Sequence, residues 1–460
     1  ADGIVKISFD DYELCEHICS AALIIIMFYG GFGTRWRSAK KTAPQAILLS
    51  SLGVVATCLL VTLFCYYAFH LPVPISMMLG AVISSTDAAS VFSILRSKKL
   101  NLKYNTAPLL ELESGSNDPA AYLMVMIAIT LWKGDWSVDS IVLLVLSQIG
   151  LALIFGTAIA FAARKCMRYF NLREGGYDMI FLLGVACAAY AVPTQFDGNG
   201  YLSTYLCGLI LGNSRLRGKK FLVSYFDGLS NFMQIVTFFL LGLLLTPSEF
   251  QLISDEGIQI AIFLTVIARP LVVAVLLLPF RMPLVQQAVI AFAGLRGASS
   301  IVFAIFTVTQ TEVGHFIFRA TFFIVLLSIL FQGTLLPLFC RKLRMLDDKE
   351  DVMKTFNDYS EEVPVRFIRS TIAEKHAWAG KKLKEISLPP GTLVAMIERA
   401  GKNIIPHGDT QLAAGDVLVL SAIASENMQG IVLTEIRATH QNGLPGRLIS
   451  ELALDNDLVI

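Results

Sequence analysis

At 460 residues, 55% of them hydrophobic, with a mean hydropathy of +0.64 and a charged fraction of 16%, the chain is too apolar and too sparsely charged for a soluble protein of its length. A net charge of +1 supplies no overall field, so a nucleic-acid partner is not implied. No P-loop, HExxH or GxSxG sequence is present and nothing calls for a cofactor, which points away from an enzyme and toward an all-α polytopic membrane protein.

A helix needs about 20 apolar residues to cross the hydrocarbon, fewer where neighbouring helices bury a break. In chain order such stretches cover 14–33, 42–69, 72–95, 105–132, 138–163, 177–193, 199–213, 221–246, 257–279, 284–310 and 316–340, the short 199–213 being the weakest. Basic residues alternate between the connecting loops. Arg35, Arg37, Lys40 and Lys41 follow the first stretch, Arg96, Lys98, Lys99 and Lys103 the third, Arg164, Lys165, Arg168 and Arg173 the fifth, and Arg215, Arg217, Lys219 and Lys220 the seventh. Arg281 and then Arg341, Lys342 and Arg344 complete that side, so residue 1 is expected outside and the tail in the cytoplasm. The eight cysteines lie in or beside apolar stretches without a CxxC pair and read as packing residues.

The third and tenth stretches are each interrupted by a helix-weakening run, Ser84-Ser85-Thr86-Asp87 and Gly294-Leu295-Arg296-Gly297, and they cross in opposite directions. Paired, oppositely oriented broken helices predict an inverted-repeat transporter with its site at the midplane. Matching the first four stretches to the last four leaves the sixth and seventh without partners, so two further helices are expected before residue 1.

Ionisable side chains inside a membrane are costly and mark function. At 1.5 Å per residue, Asp87, Glu113, Asp118, Arg269 and Arg296 fall roughly 12–20 Å deep in their spans, with Glu111 shallower. Three acids face two bases, so one acid is left to carry an ion. In Glu113-Ser114-Gly115-Ser116-Asn117-Asp118-Pro119, Ser114 and Asp118 share one helix face and Glu113 and Asn117 the next. Pro119 cannot donate to the carbonyl of Gly115, and a hard alkali cation takes oxygen ligands, here Asp118, Ser114, that carbonyl and the broken backbone at Thr86. One carboxylate open to either a proton or a cation is enough to couple their fluxes. Glu113, Arg269 and Arg296 fit structural ion pairs better than carriers. Asp87 fits a cap on the half-helix starting at Ala88 as well as it fits a ligand.

The runs Ser84–Ser90, Glu113–Pro119, Ala268-Arg269-Pro270 and Gly294–Ala298 resemble the NhaP-type monovalent cation/proton antiporters, particularly the potassium/proton branch, over residues 1–345. The resemblance implies an inverted-repeat fold of thirteen helices, usually a homodimer in a bacterial inner membrane, exchanging K+, or alternatively Na+, for H+. It implies Asn117 and Asp118 as the ion-binding pair, Ser114 and Thr86 as further ligands, and Asp87 at the helix crossover. Glu113 with Arg269, and Asp87 with Arg296, are implied as stabilising pairs. Asn117 in place of a second acid resembles the electroneutral, one-for-one class. Many relatives carry an acid where this chain has Tyr29.

Residues 346–361 read as a linker. From 362 alternating, turn-punctuated segments at Val365–Ile372, Thr392–Glu398 and Asp416–Ser421 predict a small soluble α/β domain. Leu388–Thr392, Ile405–Thr410 and Gly415-Asp416 resemble the TrkA carboxy-terminal domain, a dimeric ligand-sensing module, over 362–424. Some such domains bind cyclic di-AMP, and Arg399, Asn403, Ile404, Ile405 and His407 resemble that pocket, or one for another nucleotide. The same residues also fit an exposed hairpin. The segment 425–460 carries no recognisable signal. Because sensory tails of this kind also occur with channels, a ligand-gated cation channel is the rival reading; no potassium-filter sequence supports it.

Overall fold

The computed structural model describes residues 11–34, 36–98, 100–134, 136–170, 176–214, 216, 218–244, 254–346, 365–373, 376, 378–386, 388, 392–399 and 402–423. The chain divides into two compact units, 1–359 and 360–460. Within the first, helices follow one another as the apolar stretches predict. They are α1 (Tyr12–Gly33), α2 (Ala43–Phe69), α3 (Val73–Val82), α4 (Ala88–Ser97), α5 (Thr106–Lys133), α6 (Val138–Tyr169) and α7 (Tyr177–Thr194). Then come α8 (Gly200–Gly212), α9 (Lys219–Leu243), α10 (Asp255–Phe280), α11 (Leu284–Phe292), α12 (Ala298–Gln310) and α13 (Gly314–Lys342). Both interrupted stretches are broken where the small polar runs stand: α3 gives way to α4 across Ile83–Asp87, and α11 to α12 across Ala293–Gly297. The result is a helical polytopic membrane domain.

Helix surface follows its surroundings. On α6, Val138, Leu143, Leu146 and Ile154 are all exposed, as suits a hydrocarbon-facing span. The short α8 is the opposite case: 13 residues suffice because α1, α6 and α7 cover it. Its approach to α1 requires glycine, since a Cβ on Gly31 would fall 2.7 Å from the Leu209 nitrogen and one on Gly208 3.0 Å from the Phe32 nitrogen. Two large apolar clusters and a small one around Ala43 and Leu112 form the core among the described residues. The largest includes Phe28, Phe32, Phe226, Phe303 and Phe318, and the second joins Val91, Leu109, Val289, Leu295, Leu336 and Cys340.

In the second unit β1 (Val365–Thr371), β2 (Thr392–Arg399), β3 (Lys402–Ile404) and β4 (Val417–Ile423) form an antiparallel sheet in the order β1-β4-β2-β3, with a single 3-10 turn at Leu383–Glu385 among the described residues. Three strands match the alternating segments. The fourth, β3, was not expected; it is three residues long and exists by pairing with β2, Ile397 opposite Ile404. Ile372, Val394, Ile397, Leu412 and Leu418 make its core. The segment 425–460 and the linker 347–361 lie outside the described residues.

Candidate functional site

The two helix breaks meet, and the meeting is made by backbone. Asp87 N–H donates to the Leu295 carbonyl at 2.8 Å, and a Cβ on Gly297 would come within 2.5 Å of Asp87 Cβ and Cγ, so only glycine admits the approach. Four half-helix ends converge here, and the two at the first break hold a group of the sign that the helix dipole favours. The guanidinium of Arg296, 1% exposed, gives its Nη1 hydrogens to the Ser84 carbonyl at 2.9 Å and to that of Ser85, at the carboxyl end of α3. Asp87 sits at the amino end of α4. Its carboxylate accepts the Ser90 N–H at 3.3 Å, the Ser90 hydroxyl at 2.7 Å and Gln234 Nε2 of α9 at 3.0 Å.

With the Ser90 N–H on its carboxylate, Asp87 stands in the cap position of α4. These partners also correct one implied pairing: among the described residues Asp87 and Arg296 form no ion pair. The physical reason is that the end of α3 offers Arg296 two carbonyls that no other donor meets among the described residues, while Ser90 and Gln234 already donate to Asp87. The other pairing is present. Arg269 Nη2 binds Glu113 Oε1 directly, with the two side chains 4% and 1% exposed.

On α5, Asp118 and Asn117 face the break between α3 and α4. Asp118 Oδ1 accepts the Ser85 hydroxyl, and Ser85 Oγ lies 3.0 Å from Ser299 Oγ in the first turn of α12 and 3.3 Å from Asn117 Oδ1. Asn117 Nδ2 donates to Thr86 Oγ1 at 2.6 Å, and Ser114 Oγ to the Thr86 carbonyl at 2.7 Å. Asp118, Asn117, Ser114 and Thr86 are therefore brought together, around one buried carboxylate that is 5% exposed. Its surroundings are hydroxyl, amide and carbonyl oxygens, the ligands a hard monovalent cation prefers. The Gly115 carbonyl does not join them; it lies beside Gly30 of α1.

Sequence reasoning missed Ser85 and Ser299 as neighbours of the carboxylate and Gln234 as a partner of Asp87. Ser85 stood in a run read only as helix-weakening, and the other two are uncharged residues on distant spans. It also missed Asp227, to whose Oδ1 the Tyr29 hydroxyl donates at 2.5 Å, so the acid beside this point of α1 comes from α9.

In the tail, Arg399 is not a free cation for a phosphate. Its Nε and Nη2 each lie 2.7 Å from the oxygens of Asp416, and Nη2 also donates to the Gln411 carbonyl at 2.8 Å. The buried Asp416 further accepts the Ala413 N–H at 2.8 Å. Arg399 thus braces the sheet, whereas Ile405 and His407 are exposed and Ile404 packs against the tail core. The side chain of Asn403 lies outside the described residues.

The Arg399 hydrogen bonds hold the Asp416 carboxyl below its ordinary range and push Arg399 up. A depressed carboxyl contributes stability that is complete above its unfolded value of about 3.9 and is lost as pH falls through the lowered folded one. Amides of β2 and β4 in the full chain should therefore lose protection from hydrogen exchange on acidification through that range. Asp416→Asn should weaken them already at neutral pH by about 1–3 kcal/mol. Equal protection in that variant would show the pair to be idle.

The family profile described as sodium/hydrogen exchanger, transmembrane, matches residues 3–342, and the TrkA-C domain profile matches 367–426. The chain is 33% identical over 429 residues to the K(+)/H(+) antiporter NhaP2 of Shewanella sp. (strain ANA-3), covering 91% of this chain and 73% of that protein. It is 34% identical over 431 residues to the K(+)/H(+) antiporter NhaP of Alkalimonas amylolytica, covering 92% and 74%. Its fold is similar to the solved sodium proton antiporter MjNhaP1 from Methanocaldococcus jannaschii, with a TM-score of 0.64 at 22% identity over 72% of this chain and 86% of the other.

Proposed function

Since the chain belongs to the sodium/hydrogen exchanger family and is a monovalent cation/proton antiporter, a transporter and not an enzyme, we propose that Asp118 is the group for which the two ions compete and that the cation is K+. The observation that carries this reading is a buried carboxylate that accepts the Ser85 hydroxyl and is linked through it to the oxygens of Ser299 and Asn117, with Thr86 on Asn117, while the second acid of the crossing is held by Arg269 and the third stands as a cap. When a cation occupies the ring it displaces the proton from Asp118, and when the proton returns the cation's main ligand loses its charge. With one such acid and Asn117 beside it, each cycle moves one positive charge each way and is electroneutral.

Two relatives named for K+/H+ exchange support K+ over Na+. In sealed vesicles holding the purified protein and a pH indicator, a K+ gradient should drive opposing proton movement faster than an equal Na+ gradient. A net charge crossing the membrane would feel about 2.3 kcal/mol per 100 mV, so an imposed potential should leave the rate unchanged. Cation flux without proton movement would overturn the exchange reading.

The chain is further proposed to sit in a bacterial inner membrane with its tail in the cytoplasm, as the alternating Lys/Arg loops support. Its TrkA-C domain, working as a homodimer, is proposed to tune exchange by binding cyclic di-AMP or another nucleotide at the exposed Ile405 and His407, with Arg399 as scaffold. Such a ligand acts only by preferring one arrangement of the protomers. Calorimetry should show cyclic di-AMP binding to the full protein and its weakening by His407→Ala; no heat with the intact protein would reject that nucleotide.

A further inference from the structure

A cavity of about 480 Å3 lies between α10 and α13. Both helices widen to π-type turns beside it, α10 over Leu264–Ala268 and α13 over Ser328–Gly333. The extra residue in a π turn displaces the side chains that would otherwise interlock, which is why such turns mark functional sites. The mouth is apolar: Ile262, Val266 and Phe331 line it and are 56%, 64% and 57% exposed, as suits a surface set against hydrocarbon.

The floor is polar. Ser328 Oγ accepts the Arg296 N–H at 3.0 Å and donates to Gln332 Oε1 at 2.6 Å, and Gln332 Nε2 reaches the Phe292 carbonyl at 3.2 Å, so these two side chains satisfy each other. Arg296, which also lines the cavity, is not satisfied. Its Nη1 serves the carbonyls of α3, but its buried Nε has no acceptor, and it has no carboxylate partner among the described residues. A buried cation with an idle donor at the base of an apolar, lipid-facing cavity is costly unless an anionic or strongly accepting group meets it. The volume lies within the range of small-molecule sites.

We propose that this cavity binds a single-chain amphiphilic carboxylate of the fatty-acid class, its carboxyl group on Arg296 and its alkyl chain along Ile262, Val266 and Phe331. The helix from Leu284 to Phe292 is 9 residues long, about 13 Å at 1.5 Å per residue, and Arg296 lies beyond its inner end in the break. A phospholipid phosphate would have to leave the interface to reach it, whereas a fatty acid enters hydrocarbon as the neutral acid and accepts the Nε–H through its carbonyl oxygen. An occupant would bear on the guanidinium that holds the Ser84 and Ser85 carbonyls, one residue's breadth from Asp118. The binding claim itself stands apart from the assignment of Asp118.

The test uses the full chain in phosphatidylcholine nanodiscs and a dodecanoate carrying a photoreactive diazirine on its chain. Labelling should map to peptides of α10 and α13 and fall several-fold with excess dodecanoate, but not with dodecanol or phosphatidylglycerol. Ala261→Phe and Ile262→Trp narrow the cavity away from the ion site and should lose the label while vesicle exchange is kept. Ile262→Trp, at an exposed position, preserves the test should Ala261→Phe not fold. Equal competition by dodecanol would mean ordinary lipid contact, competition by phosphatidylglycerol a phospholipid site, and retained labelling in a folded, narrowed variant a different location. Any of these would overturn the proposal.

Discussion

Asp118→Asn should reduce K+-driven proton movement in vesicles to the level of protein-free vesicles while leaving the protein folded. The amide has the shape of the carboxylate, and its oxygen can still accept the Ser85 hydroxyl that Asp118 Oδ1 accepts. The first turn of α12 and the Asn117 link to Thr86 therefore keep their partners. What the variant lacks is chemistry: it has neither a charge for the cation nor a site that exchanges a proton for it. Purification yield and melting temperature should match the parent. Substantial coupled exchange by this variant would remove Asp118 from the role of carrier and leave Asp87 as the next acid to examine.

The second large effect is on stability. Glu113→Gln should lower it by about 3–5 kcal/mol, the range for removing one partner of a buried ion pair, because Arg269 would keep its charge with no acid to meet it. The pair is not a generous source of stability as it stands: among the described residues Glu113 Oε2 and Arg269 Nε have no hydrogen-bond partner. Replacing both residues, as Glu113→Gln with Arg269→Met, should accordingly recover much of the loss, since the uncompensated charge goes with the arginine. The comparison is read from detergent melting curves of the two variants beside the parent. A parent-like curve for Glu113→Gln alone would show that the contact does not hold the crossing together.

Much of this arrangement was legible in the sequence, for reasons that are themselves physical. A membrane span must be apolar over a fixed length, and a broken span must advertise its break with residues such as Ser84–Asp87 or Gly294–Gly297. Charges are so costly in hydrocarbon that Asp87, Glu113, Asp118, Arg269 and Arg296 stood out at once. Which charge met which was another matter. The family resemblance implies Asp87 paired with Arg296, yet the peptide dipoles at the ends of α3 and α4 take both groups, and those dipoles leave no mark in composition. The uncharged partners were hidden for the opposite reason: Ser299 and Gln234 are ordinary polar residues until tertiary packing sets them beside Asp118 and Asp87. In the tail, Arg399 resembles a pocket residue; its bond to Asp416, seventeen residues on, follows only from the way β2 and β4 pair.

The central claim is competition of one cation and one proton for Asp118, and it is tested most directly by the protons released when K+ is added to the purified protein in weakly buffered solution. The account predicts about one proton released per cation bound by the parent protein, following from a single shared carboxylate, and none from Asp118→Asn. Proton release that persists in the folded Asp118→Asn variant, or K+ binding by the parent without any release, would contradict it.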